Sequence, residues 1–127
     1  MNANEIQNTL SGFYGTERYH RLTIFPGMVA TDGVAYLAKA AQCFWLTDEI
    51  TLAQRNPKIR NNENLQGIQF WDLKVTGSSA VLTCSEDEGK PVYVKKIPYT
   101  DFPLPEIRIW VAPVDETNKV MMLPSEY

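Results

Sequence analysis

His20 is the chain's only histidine, and so its only side chain whose ordinary pKa suits proton exchange near neutral pH. A hydrolytic site would place a serine or cysteine beside such a base, and no Gly-x-Ser-x-Gly turn is present. Cys43 falls among apolar neighbours in a helical pattern and Cys84 in a strand pattern. Both read as small buried hydrophobes whose thiols keep an ordinary or raised pKa. One histidine and two cysteines far apart in the chain do not supply the paired ligands of a zinc site. Glu86-Asp87-Glu88-Gly89 lacks the alternating spacing of a calcium loop and reads as a hairpin tip. Gly12, Gly15, Gly27 and Gly33 are scattered and open no phosphate-binding loop. This inventory calls for no metal and no cofactor.

Asp48 resists so bland a reading. Thr31-Asp32 offer an N-cap and a negative charge at the positive end of a helix dipole, and the spacing predicts one long helix from there to about Arg55, ended by Asn56-Pro57. On that helix Val34, Leu37, Ala38, Ala41, Phe44, Trp45 and Leu52 fall in one apolar arc with Asp48 at its centre. A carboxylate there is costly unless paired, and Arg18, His20 or Arg21 would be its partner. Two roles stand open. The pair is either a structural tie between segments, or a polar site in which Asp48 and His20 share proton transfer beside Trp45 and Tyr36. A second stripe, Tyr36, Cys43, Leu46 and Ile50, gathers opposite the first and needs cover, which an interface would provide.

The elements that position these residues follow from hydrophobic rhythm. A short helix is expected at the start through Ile6 and Leu10, and the aromatic, charged stretch from Phe13 to Phe25 is expected to hold a turn and one short strand or helix before Pro26-Gly27. After a polar loop from Lys58 to Asn64 the period changes to two. Strands are expected at Ile68 to Val75, Ala80 to Ser85, Val92 to Ile97, Ile107 to Ala112 and Val120 to Leu123. Thr76-Gly77-Ser78, Asp87 to Lys90 and Asp115 to Asn118 read as tight connections, and Tyr99 to Pro105, with its prolines, as a structured crossing loop. Trp71, Leu73 and Val75 share one face of their strand, as Ile107, Ile109 and Val111 do of theirs, beneath the helix. The fold class expected is α+β: one long helix packed on a mostly antiparallel, four- to five-stranded meander sheet, in a single domain over residues 1–127.

Composition bounds the rest. A chain of 127 residues with 44% hydrophobic and 21% charged residues can bury a core without staples and is not of disordered composition. Two cysteines argue for a reducing, cytoplasmic setting. No apolar run marks a signal peptide or a membrane span. A net charge of −3 gives no field that would gather nucleic acid, so nucleic-acid binding is disfavoured. The basic run Arg55, Lys58, Arg60 has no interleaved aromatic residue and reads as a solvated loop.

Several strings carry a resemblance: Gly15-Thr16-Glu17 with Tyr19-His20; Thr31-Asp32-Gly33-Val34 with Tyr36-Leu37-Ala38; Trp45-Leu46-x-Asp48-x-Ile50; Thr100-Asp101-Phe102-Pro103-Leu104 after Tyr99; and Leu123-Pro124-Ser125-Glu126-Tyr127. Together they resemble a family of small bacterial proteins of unknown function carried on chromosomes, plasmids and phage genomes. The resemblance implies that Asp32, Asp48, Asp101 and the carboxyl-terminal tail belong to the family pattern, and it assigns a role to none of them. Residence on mobile elements implies a protein that acts on host or phage machinery.

Two functional expectations result. The first is a non-enzymatic protein-binding or regulatory factor, with host-interaction or anti-defence as its setting, a protein partner and a homodimeric state. The second is a small-molecule binder or small enzyme whose fold gathers Asp48 and His20, with Arg18, Tyr36, Asp101 and Tyr127 as binding candidates. For Tyr127 and its tail, docking onto their own fold and docking into a partner's groove both stand open.

Overall fold

In the computed structural model, which describes residues 2–87 and 90–127, the helical stretch after Thr31 is two helices rather than one long helix. α1 spans Ala3–Leu10, α2 Asp32–Ala40, α3 Phe44–Ala53 and α4 Pro57–Arg60. The break is a left-handed turn at Gln42, with φ of 51°. The amide of Cys43 donates to the carbonyl of Ala38 at 3.0 Å and that of Gln42 to Lys39 at 3.4 Å, the paired closing bonds that satisfy the last carbonyls of a helix. Glycine usually takes this position, so glutamine there gave the sequence no visible stop.

The turn re-phases everything after it. Leu46 and Ile50 of α3 are buried together with Cys43, whereas Phe44 and Leu52 are exposed and Trp45 only half-buried. The stripe expected to await a partner is therefore core, and the α3 half of the arc expected to be core faces outward. The homodimer expectation loses the surface on which it stood. Asp48 lies on that outward, half-exposed side, which explains why a carboxylate is tolerated there.

The sheet has six strands: β1 Met28–Ala30, β2 Gln69–Thr76, β3 Ser79–Ser85, β4 Pro91–Ile97, β5 Glu106–Pro113 and β6 Lys119–Met122. Their order is β1-β6-β5-β2-β3-β4. It is neither a meander nor four- or five-stranded, because β1 pairs parallel with β6 and the chain leaves β4 at one edge to place β5 against β2. The remaining pairs are antiparallel. β1 has only three residues, too few for a period to be read. The Tyr99–Pro105 segment makes the crossing. Thr100 N–H donates to the Ser78 carbonyl, Val75 N–H to that of Pro105, and Phe102 and Leu104 insert into the core. Glu88 and Gly89 of the expected β3–β4 tip lie outside the described residues.

All four helices contribute to one core against one face of the sheet, where Trp71, Leu73, Leu82, Cys84, Ile109 and Val111 meet Ile6, Leu37, Leu46, Ile50 and Ile59. Register puts Trp71 opposite Ile109 and Leu73 opposite Ile107, the shared face expected from alternation. One polar pair is sealed in this layer. Gln54 and Gln69 exchange amide hydrogen bonds of 2.8 and 2.7 Å, while Gln69 also bonds the Leu65 carbonyl and accepts from the Trp71 indole. Each buried polar atom of Gln69 thus has a partner, which is the condition for burying it at no net loss.

Candidate functional site

The start of α2 is where the sequence motifs converge. Thr31 caps the helix by accepting from the Val34 amide, and its hydroxyl donates to Glu126 Oε1 at 2.6 Å. Glu126 Oε2 accepts from the Gly33 amide at 3.0 Å and Oε1 from the Leu123 amide at 3.0 Å. The terminal Leu-Pro-Ser-Glu segment is therefore a second, tertiary cap on α2, with the carboxylate at the positive end of the helix. Gly33 leaves the room. A Cβ there would lie 2.5 Å from Glu126 Oε1 and 2.7 Å from a Leu123 methyl.

On the other side of the same turn, Asp32 Oδ1 pairs with His20 Nε2 at 2.7 Å and Oδ2 accepts from the Glu17 amide at 2.9 Å. The Asp32 amide donates to Thr16 Oγ1, and the His20 backbone exchanges two 2.8 Å bonds with Ala30. The Glu17 amide, then the imidazole, hold the Asp32 carboxyl below its usual range. These contacts bind the Thr16–His20 loop to the helix. His20 is paired with Asp32 rather than Asp48, and no hydrogen bond or ion pair joins Asp48 to Arg18, His20 or Arg21 among the described residues. Arg18 and Asp101 are exposed, and Tyr36 packs its ring 5.7 Å from that of Phe13. Arg18, Asp48 and Asp101 make no hydrogen bond or ion pair with His20 among the described residues. No group of three His, Cys, Asp or Glu able to hold a metal occurs among the described residues.

The face of the sheet turned away from the helices is different. Alternation puts Phe70, Asp72 and Lys74 of β2, Val81, Thr83 and Ser85 of β3, and Arg108 and Trp110 of β5 on it, around an open concavity of about 680 Å³. Phe70 and Trp110 are cross-strand partners in an edge-to-face contact of 5.2 Å, and Tyr127 meets Trp110 edge-on at 5.4 Å, extending the row of rings. Glu126 thus fixes the tail while Tyr127, largely exposed, borders this face.

Asp72 is the chemical centre of the concavity. Its register neighbours are Arg108 and Thr83, yet it hydrogen-bonds neither: Arg108 Nε turns to Glu106 at 3.2 Å, and the nearest cation to Asp72 is Lys74 Nζ, 3.8 Å from Oδ2. Asp72 Oδ1 is buried with no hydrogen-bond partner among the described residues. Burial, with the Glu106 charge added, pushes the Asp72 carboxyl up, and Lys74 and Arg108 only partly offset this. Natural folds seldom leave such an atom unmatched. Sequence alternation by itself does not single out Asp72; only its placement with Phe70 and Trp110 around one hollow does.

Cys43 and Cys84 are buried, and burial pushes both thiols up to about 12. No helix among the described residues is long and apolar enough to cross a membrane.

Comparison with known proteins supplies a fold and a family but no activity. No curated protein matches. The crystal structure of a protein of unknown function from Enterococcus faecalis superposes with a TM-score of 0.55 at 18% sequence identity, over 87% of this chain and 98% of that one, a likeness of fold alone. The model of DUF6876, a family of unknown function, matches residues 4–127, and the chain belongs to that family.

Proposed function

We propose that the protein is a non-enzymatic binding factor, and that the outer face of its sheet receives a basic side chain of a protein partner. The unmatched, buried Asp72 carboxylate oxygen beside Phe70 and Trp110 carries the reading. A carboxylate short of donors is completed by an ammonium or guanidinium, and aromatic faces add cation–π attraction of up to about 2 kcal/mol when water is excluded. Exposed Val81 and Val94 on neighbouring strands offer the apolar rim that a polypeptide, rather than an isolated cation, would cover. The wide and open hollow suits such a segment. The small-enzyme alternative would rest on Asp48 and His20, but His20 pairs with Asp32 and Asp48 stands half-exposed on α3, which favours the binding reading. The plasmid and phage setting implied by the motif resemblance would make the partner a host or phage protein, with an anti-defence role as one form of it.

Selection of a displayed random-peptide library on the intact protein tests this. Peptides bearing Arg or Lys beside an apolar residue are expected to enrich, and to bind at least about tenfold more weakly to Asp72→Asn and Trp110→Ala proteins of unchanged fold, since tenfold is ~1.4 kcal/mol. Enrichment indifferent to Asp72→Asn, or of acidic peptides, overturns the reading. So does light scattering that shows a dimer dissolved by Trp110→Ala, because the face would then belong to a second copy.

A further inference from the structure

A second concavity lies where the end of α3, the start of β1 and the β5–β6 turn meet. It holds about 260 Å³ and is lined by Gln54, Arg55, Arg60, Asn118 and Lys119 among others. Arg21 reaches its rim, donating to Asn118 Oδ1 at 3.4 Å. Arg55 lies over the Phe25 ring at 5.7 Å, and Lys119 Nζ donates to the Gln66 side-chain oxygen at 3.3 Å. None of these cations is ion-paired among the described residues. The four ion pairs among the described residues are His20–Asp32, Lys74–Asp72, Lys95–Glu49 and Arg108–Glu106.

Two carboxylates also line the cleft, Asp115 and Glu116. Asp115 Oδ1 is engaged by its own turn, accepting from the Thr117 and Asn118 amides at 2.8 Å each and from the Thr117 hydroxyl, contacts that hold its carboxyl below the usual range. Oδ2 keeps only a 3.4 Å bond from the Asn118 side-chain amide, and neither oxygen is ion-paired with Lys119 or Arg55 among the described residues. Glu116 is exposed. The Lys119 ammonium is half-buried with a neutral partner in Gln66, and burial pushes its pKa down. It is also held firmly, because its amide bonds the Gly27 carbonyl and its strand pairs on both sides.

We infer that this cleft is an oxyanion site for a small phosphorylated molecule, with Lys119, Arg55 and Arg60 as its cationic ligands and Arg21 at its rim. Guanidinium forks and an ammonium are the groups that match phosphate oxygens. The volume admits a phosphate with a small substituent rather than a long polymer, and the net charge of −3 opposes a polyanion at longer range. The site is separate from the outer sheet face and stands or falls without it.

Titration with inorganic phosphate, followed in amide NMR spectra of the whole chain, tests the inference. Saturable shifts are expected at Arg55, Arg60 and Lys119, reproduced by glycerol phosphate and absent with chloride at matched ionic strength. Lys119→Met is expected to weaken phosphate binding at least about tenfold. Arg60→Ala, on an exposed position that leaves the sheet pairing untouched, should weaken it several-fold. Shifts that never saturate, that spread over the other lysines, or that persist in both variants overturn the site. A far stronger response to heparin or duplex DNA than to either phosphate overturns the small-molecule class.

Discussion

Asp72 separates stability from recognition at a single residue. Its folded-state pKa is raised, so protonation is favoured in the fold and the native state is penalised as pH climbs from the unfolded value of 3.8 through the folded one. Asp72→Asn should therefore raise the melting temperature by a few degrees at pH 7 and change it little below about pH 3.8, while weakening the partner peptide. Thermal melts across that range check the sign; a loss of stability at neutral pH would mean the carboxylate is satisfied after all. Gln69 behaves oppositely. Gln69→Leu strips partners from the Trp71 indole, the Gln54 amide and the Leu65 carbonyl, and should cost about 2–3 kcal/mol in a denaturant titration. Neither outcome was legible in the sequence, where both residues are simply polar positions in β2. What distinguishes them is that one finds its complement inside the fold and the other does not.

At the scale of elements, α2 is held at both ends by devices that differ in how openly the sequence shows them. The cap at Thr31 was readable, because a threonine before an apolar period has one ordinary use. The Glu126 cap comes from ninety-odd residues away and left only Gly33 as a trace, a small residue just inside the helix with no local need to be small. Glu126→Ala is expected to cost about 1 kcal/mol, and Gly33→Ala a comparable amount by displacing the same carboxylate. The double variant should therefore cost clearly less than the sum, a coupling that a thermodynamic cycle measures. The far end gives the reverse case. Gln42→Gly should stabilise the protein by about 1 kcal/mol despite adding glycine, since glycine adopts the left-handed turn without strain. A destabilised Gln42→Gly protein would show that the side chain matters more than the turn.

Across the whole molecule, one helical layer covers one sheet face and leaves the other to solvent. Cys43 and Cys84 report on the integrity of that layer: with both thiols buried and raised to about 12, labelling by a disulfide reagent at pH 8 should proceed only through opening of the core, and should speed up in Gln69→Leu. Fast labelling of the wild-type protein would refute this burial. Much of the architecture was legible in advance: the switch from helical to pleated rhythm, five of the strands within a residue or two, and the shared face of Trp71 and Ile109 all follow from local periodicity, which is a property of neighbours in sequence. Tertiary structure decided what depends on distant partners. It placed the three-residue β1 beside β6, broke the long helix at a glutamine and so exchanged its buried and exposed stripes, paired His20 with Asp32, and set Asp72 with Phe70 and Trp110 around one hollow and Lys119 with Arg55 around another. The physical reason is common to all of them. Hydrophobic period is written within a few residues, whereas charge compensation and helix phase are settled only by what the rest of the chain brings alongside.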